Sequence, residues 1–214
     1  MRRLFFKVSQ NEVEKSKFEI CKSAFVEIFY ILFLREVLYM NIVKYDVLKD
    51  EMKAIHLETA RLLIRNYIDT DEDGYLTIFQ DEKSMAMDGD KVIMKKNDIF
   101  YHRIAMIKDR ELVFLSLADK VNNSFIGYVL LNKYPEEQND AITLGCSLVP
   151  EYQSKGYGFE AIKGILSELK NSVVVKRILA NAYVYNKPSL GLINKLGFTS
   201  IGTKDNEEYF ILDI

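Results

Sequence analysis

An alternating run, a proline, a polar loop with two glycines and an amphipathic helix follow one another between Ala141 and Leu169. In "AITLGCSLV" the residues Ile142, Leu144, Cys146 and Leu148 fall on one face and Thr143, Gly145 and Ser147 on the other, the period of a strand. Pro150 cannot donate to a ladder and stops that strand. Beyond the loop "EYQSKGYG", Ile162, Ile165, Leu166 and Leu169 share one helical face. The first backbone amides of such a helix have no partner within it, and together with the dipole they favour an anion. Gly156 and Gly158 let backbone approach that anion without a Cβ in the way.

The same periodicities run through the rest of the chain from about Met52. "RLLIRNY" (61–67) reads as a strand, and "TDEDGYLTIF" (70–79), opening on a capping residue and acids, as a helix. A second helical stretch runs from about Asp90 to Ile107. "ELVFLSLAD" and "SFIGYVLLNKY" read as strands joined by the turn "KVNN". "RILANAYVY" (177–185) is another strand, "KPSLGLINKLGF" a short helix stopped by Gly197, and "EYFILDI" a closing strand. The expected fold is mixed α/β, with a mostly antiparallel sheet, flanking helices and an extra N-terminal helical segment.

That segment, residues 1–51, differs from the domain expected over 52–214. Phe18, Cys21, Phe25, Ile28, Phe29 and Leu32 recur at helical spacing, and "IFYILFL" (28–34) is apolar all round. The run is too short to span a bilayer, and Glu12, Glu14, Glu19 and Glu27 do not suit a signal peptide. Three readings fit: a helix that docks on the domain, a helix that pairs with a second copy in a homodimer, or upstream sequence before a start at Met52. Elsewhere, a formal charge of −2 gives no electrostatic reason to expect nucleic acid or an anionic membrane as partner. Two cysteines without a CxxC, and only two histidines, argue against a disulfide framework or a metal site and for a cytoplasmic protein.

Three kinds of site carry a glycine loop ahead of a helix. A P-loop is excluded, because no GK[ST] occurs. "GYGFEA" (156–161) fits the dinucleotide pattern GxGxxA, but Pro150 to Lys155 intervene between strand and glycines, and the next strand, ending "ANAYVYNK", offers no carboxylate for a ribose. The third kind is an anion seat on the helix start. Each piece also has a plainer reading: the loop as a turn, "KLGF" as a helix stop with a core aromatic, Asn186 and Ser189 as turn and cap residues, Cys146 as packing.

The spacing Q-x-x-G-x-G at Gln153, Gly156 and Gly158 resembles the coenzyme A pyrophosphate loop of the GCN5-related N-acetyltransferase (GNAT) superfamily. "LETARLLIR" (57–65) and "IGYVLL" (126–131) look like strands of its ribosomal-protein-type (RimJ/RimL-like) branch. "AYVYNKPSLGLINKLGF" (182–198) resembles that branch's closing signature at Asn186, Ser189, Lys195, Leu196, Gly197 and Phe198. The resemblance runs from about Leu57 to the C-terminus.

It implies acetyl transfer from acetyl-CoA to a primary amine, either a peptide N-terminus or a small molecule. The pantetheine arm would lie between strands 141–149 and 177–185, pairing with backbone near Leu148 and Val149. The amides of Gln153, Ser154, Lys155, Gly156, Tyr157, Gly158 and Phe159 would hold the pyrophosphate. Asn186 and Ser189 would face the arm near the sulfur, with Ser189 the candidate donor to the leaving thiolate. Two departures stand out. Where many members carry a glutamate in an E-I-G-Y pattern this chain has "TLGC", with Thr143 and Cys146, and where many carry a tyrosine four residues before the signature glycine it has Ile193. They motivate an alternative: an acetyl-CoA-binding protein of weak or lost catalysis, acting through interaction.

Overall fold

The computed structural model describes residues 56–89, 104–108, 113–133, 141–171 and 175–214. The expectations for residues 1–51, and most of the helical stretch from Asp90, lie outside the described residues; 104–108 are helical.

Eight strands form one sheet: β1 (His56–Glu58), β2 (Leu62–Asn66), β3 (Val113–Asp119), β4 (Phe125–Lys133), β5 (Ala141–Leu148), β6 (Arg177–Tyr183), β7 (Thr199–Lys204) and β8 (Glu207–Asp213). They lie in the order β1-β2-β3-β4-β5-β6-β8-β7, and all neighbours are antiparallel except β5 and β6. The helices are α1 (Glu72–Gln80), α2 (Glu82–Met87), α3 (Tyr157–Leu169) and α4 (Lys187–Lys195). β1, α2 and β7 are additions to the sequence reading. The first is only three residues long, and every residue of β7 is exposed, so it shows no alternation. The hairpin from β7 to β8 turns on Asp205 and Asn206, both at positive φ (51° and 66°), as a type I′ turn requires.

The sheet is packed on both faces. On one face α3 lays Ala161, Ile162, Ile165, Leu166 and Leu169 over Leu62, Ile64, Leu115, Leu117, Val129, Leu131 and Ile178. Each fully buried aliphatic side chain there contributes about 1.5–3 kcal/mol of transfer free energy. On the other face α1 sets Tyr75 and Ile78 among Phe114, Phe125, Tyr128 and Val149. A bulge links the two patterns on β4. Leu117 pairs with Gly127 but Ala118 with Phe125, leaving Ile126 as the extra residue. Ile126 and Val129 therefore share the α3 face although they are three apart.

Beneath the start of α1 a buried ion pair anchors β2. Arg65 forks onto Asp71, Nη1 to Oδ2 at 2.7 Å and Nη2 to Oδ1 at 2.9 Å. Asp71 also accepts from Ser116 Oγ and Ile68 N–H, so both buried charges are met by hydrogen bonds.

Candidate active site

β5 and β6 begin as a parallel pair and then part. Their register covers Ala141–Arg177, Ile142–Ile178 and Thr143–Leu179, and no pairing follows. Val149 N–H donates to Ile126 O at 2.9 Å. The alternation of the ladder then turns the backbone of Ser147 toward β4 and that of Cys146 and Leu148 toward the gap. Leu148 C=O is taken there by Gln153 Nε2 at 3.0 Å. The N–H groups of Cys146 and Leu148 remain for a guest, with no acceptor among the described residues.

Between the parted strands lies a cavity of about 250 Å³. Leu144 to Ser147 line it from β5, Ala180 to Tyr183 from β6, Asn186, Ser189 and Ile193 from α4, and Met87 and Asp88 from the end of α2. Glu207, at the start of β8, completes it. Cys146 is its thiol. Burial first, and the Asp88 carboxylate second, push that thiol up to about 12. A thiol so raised stays protonated at neutral pH and packs rather than attacks.

The glycine loop stands at the end of this gap. Ser154 and Gly156 both take positive φ (60° and 84°), which folds the chain so that α3 starts without a side-chain cap. The first hydrogen bond of the helix runs from Glu160 N–H to Gly156 O. The amides of Gly156, Tyr157, Gly158 and Phe159 thus have no partner among the described residues, the arrangement that receives an anion. Arg61 braces the loop. Its Nη1 donates to Lys155 O at 3.1 Å, its guanidinium lies 4.0 Å above the Tyr157 ring, and its Nε meets Glu160 Oε2 at 2.7 Å. Burial alone would raise the Glu160 carboxyl, but the Thr59 hydroxyl and the Arg61 N–H groups outweigh it and hold it below its ordinary range.

The structure places the expected residues around the gap and the loop, and engages groups of three of them within the fold. Val149 cannot pair with a guest. Its N–H is held by Ile126 O and its C=O accepts from Tyr152 N–H, because the chain turns into a 3-10 helix at Pro150. The Gln153 amide is likewise occupied, donating to Pro150 O at 3.2 Å. Its side chain closes the loop from outside, tying Leu148 O to Ser84 Oγ of α2. Asn186 lines the cavity, but its side chain is spent within the fold. Oδ1 caps α4 by accepting from Ser189 N–H at 3.2 Å, and Nδ2 donates to Met87 O at 3.1 Å. Ser154, Lys155 and Gly156 form the loop, Tyr157, Gly158 and Phe159 the first turn of α3, and Ser189 lines the cavity on α4. Thr143 is absent from the cavity wall, while Ile193 is part of it. The sequence reading missed Asp88 and Glu207, carboxylates that line the cavity among the described residues. Neither sits in a motif, and each arrives through tertiary contact alone.

Residues 61–199 match the family description "acetyltransferase (GNAT) domain". The [ribosomal protein uS5]-alanine N-acetyltransferase of Escherichia coli is 28% identical over 115 residues, 52% of this chain and 58% of that protein. The chain therefore spans little more than half the length of that relative. An uncharacterised N-acetyltransferase of Bacillus subtilis, YnaD, is 27% identical over 148 residues, 69% of this chain and 85% of its own. Among solved structures, a GNAT-family acetyltransferase from Bacillus anthracis superposes with a TM-score of 0.64 at 20% identity, covering 74% of this chain and 98% of that one.

Proposed function

The chain belongs to the acetyltransferase (GNAT) domain family, and on that footing we propose that it moves an acetyl group from acetyl-CoA to a primary amine, of a protein N-terminus or a small molecule. One observation carries the reading. Strands β5 and β6 part where backbone N–H groups have no partner among the described residues, and the gap ends on a helix start whose first four amides are equally unmet among them. A pantetheine arm is an extended chain with two amides that needs such an edge, and a pyrophosphate needs such an end.

Acetyl-CoA supplies an activated thioester; the residues of the chain do the placing. Leu148 N–H meets an amide of the arm. The amides of Gly156 to Phe159 hold the pyrophosphate, with Lys155 adding charge at the rim. Cys146 N–H, turned into the gap, stabilises the oxyanion that forms when the amine attacks. Ser189, on the first turn of α4, donates to the departing sulfur. Thiols have pKa values near 8.5, so the leaving group needs only modest help. Most of the rate comes from holding the two reactants at attack distance.

A second reading has one specific observation behind it. Thr143 and Ile193 leave the two customary acid–base places without an ionisable group, which suits a protein that binds acetyl-CoA and acts by interaction. Release of free thiol from acetyl-CoA, over a panel of small amines and N-terminal peptides, separates the two. Transfer to at least one amine, at a rate above hydrolysis, is expected. Tight acetyl-CoA binding with no amine-dependent thiol release would leave the binding-protein reading standing alone.

A further inference from the structure

We propose that Arg61 is a positioning residue for the cofactor's diphosphate: from the turn between β1 and β2 it neutralises the Glu160 carboxylate and presents its own positive face at the start of α3; this rests on the acetyl-CoA reading above. The starting point is a conflict within the helix. Glu160 is the fourth residue of α3, so its carboxylate falls in the first turn, where it suits the helix dipole but opposes a bound anion. Its charge is held rather than suppressed. Oε1 accepts from Thr59 Oγ1 at 2.6 Å and from Arg61 N–H at 2.8 Å, and Oε2 accepts from Arg61 Nε at 2.7 Å. Those bonds keep the carboxyl below its ordinary range, so it is an anion at neutral pH.

The turn that supplies them is itself fixed. Thr59 N–H donates to Leu62 O at 2.9 Å, and Leu62 N–H to Thr59 Oγ1 at 3.0 Å. Lys120, after β3, donates its N–H to Arg61 O at 3.0 Å and Nζ to Thr59 O at 3.2 Å. Gly164, one turn along α3 from Glu160, lets this turn come close, since a Cβ there would meet Thr59 Cγ2 at 3.2 Å. The two charged partners are not equivalent. The Glu160 side chain keeps 17% of its exposure and that of Arg61 44%, so the cation is the member that faces outward. Arg61 also reaches the loop. Nη1 donates to Lys155 O at 3.1 Å, the guanidinium lies over Tyr157, and Nη2 would be 3.5 Å from a Cβ on Gly156. One guanidinium thus cancels the adverse carboxylate, holds Lys155 and Tyr157, and stands beside the amides that head the seat. Its planar fork serves these places at once, which a lysine could not do.

The test is calorimetric titration of the full chain with acetyl-CoA and with S-acetylpantetheine, a thioester arm that lacks the diphosphate. Arg61→Gln leaves the charge of Glu160 facing the diphosphate and is expected to raise the Kd of acetyl-CoA about 10- to 100-fold, a charge–charge effect at the dielectric of a protein surface. Arg61→Lys, which restores the charge without the fork, should recover part of that loss. Glu160→Gln keeps the length and an acceptor oxygen while leaving the arginine unopposed, so its Kd should stay at the wild-type value or fall below it. A merely structural pair would not give that difference in sign, because either substitution breaks the same ion pair. The Kd of S-acetylpantetheine should hold within about threefold in both variants. An Arg61→Gln protein whose acetyl-CoA Kd stays within about threefold of wild type overturns the assignment, as does a rise of more than about threefold with Glu160→Gln or an equal loss for the two ligands. The Glu160→Gln titration decides even where Arg61→Gln fails to fold. Wild-type protein that takes up neither ligand refutes the acetyl-CoA reading itself.

Discussion

Gly156 is the position at which backbone geometry and cofactor binding can be separated. It sits at φ +84°, ψ 0°, where a side chain costs about 1–2 kcal/mol in conformational energy. Space is not the obstacle, because a Cβ there would lie 3.5 Å from Arg61 Nη2, an ordinary contact. Gly156→Ala should therefore lower stability by that conformational cost, a drop of about 2–8 °C in Tm for a chain of this size. Affinity should move little, since the four free amides stay where they are. Gly156→Glu carries the same backbone cost and adds a negative charge at the anion seat. One carboxylate about 5 Å from one phosphate charge repels it by about 1 kcal/mol at the dielectric of water and about 3 kcal/mol at that of a protein surface. That range is roughly a 5- to 150-fold rise in Kd. Arg61 draws the result toward the lower end, because its guanidinium is near enough to pair with the new carboxylate. Calorimetric titration of acetyl-CoA into both variants, with thermal melts of each, reads the two effects independently. Equal Tm values with a Kd that differs by less than threefold would show that no phosphate lies at the start of α3, and the cofactor assignment would fall.

Asp71→Ala leaves the Arg65 guanidinium buried without its partner, and urea unfolding should show a loss of about 3–5 kcal/mol; a loss below 1 kcal/mol would mean that the pair is not a structural anchor. Cys146 titrates near 12 when folded and near its ordinary value when unfolded, so its contribution is full below about pH 8.5 and is lost as pH rises toward 12. In a Cys21→Ser background, the unfolding free energy from urea titrations should fall between pH 8.5 and 10 with a slope of at most about 1.4 kcal/mol per pH unit, and Cys146→Ser should flatten that part of the fall. A chain beginning at Met52 should fold and bind acetyl-CoA, because among the described residues both cores and the cavity lie from Leu57 onward. Insoluble or cofactor-blind protein from Met52 would place part of residues 1–51 in the core.

The features legible in the sequence are those whose cause is local. The buried face of α3 follows from period 3.6, and the face of β5 carrying Ile142 and Leu144 from period 2. The stop of α4 is also local: Phe198 N–H reaches Ile193 O and Gly197 N–H reaches Asn194 O, the paired bonds of a Schellman ending. What the sequence hides depends on contacts distant along the chain. Gln153 reads as a loop residue, and only the docking of α2, 69 residues earlier, gives its amide Ser84 as a second partner. Val149 sits in the expected stretch, yet the bulge at Ile126 claims its N–H. α2 itself is six residues long, held at its start by Asp81 accepting from Ser84 N–H, and too short for a helical stripe to show. Asp88 inherits that invisibility, since nothing in "MAMDGD" indicates that it will meet a strand nearly sixty residues later.

These placements fix how the rate should depend on pH. A base that works near neutrality needs a pKa close to the working pH and access to the nitrogen. Thr143 and Ile193 cannot ionise, Cys146 is held far above neutrality, and no histidine among the described residues lines the cavity. Among the described residues, the cavity wall offers no side chain of a type that ordinarily titrates near neutrality. The proton of the acceptor therefore leaves to water, and the reactive species is the fraction of amine already neutral. That fraction rises tenfold per pH unit until the amine's own pKa is passed. The logarithm of kcat/KM should accordingly climb with unit slope and level off at the pKa of whichever amine is supplied, moving when the amine is changed. Measuring it with two amines whose pKa values differ by about two units decides the matter. A plateau reached near pH 6 to 7 with both would require a base of histidine-like pKa in the site, and direct loss of the proton to water would be ruled out.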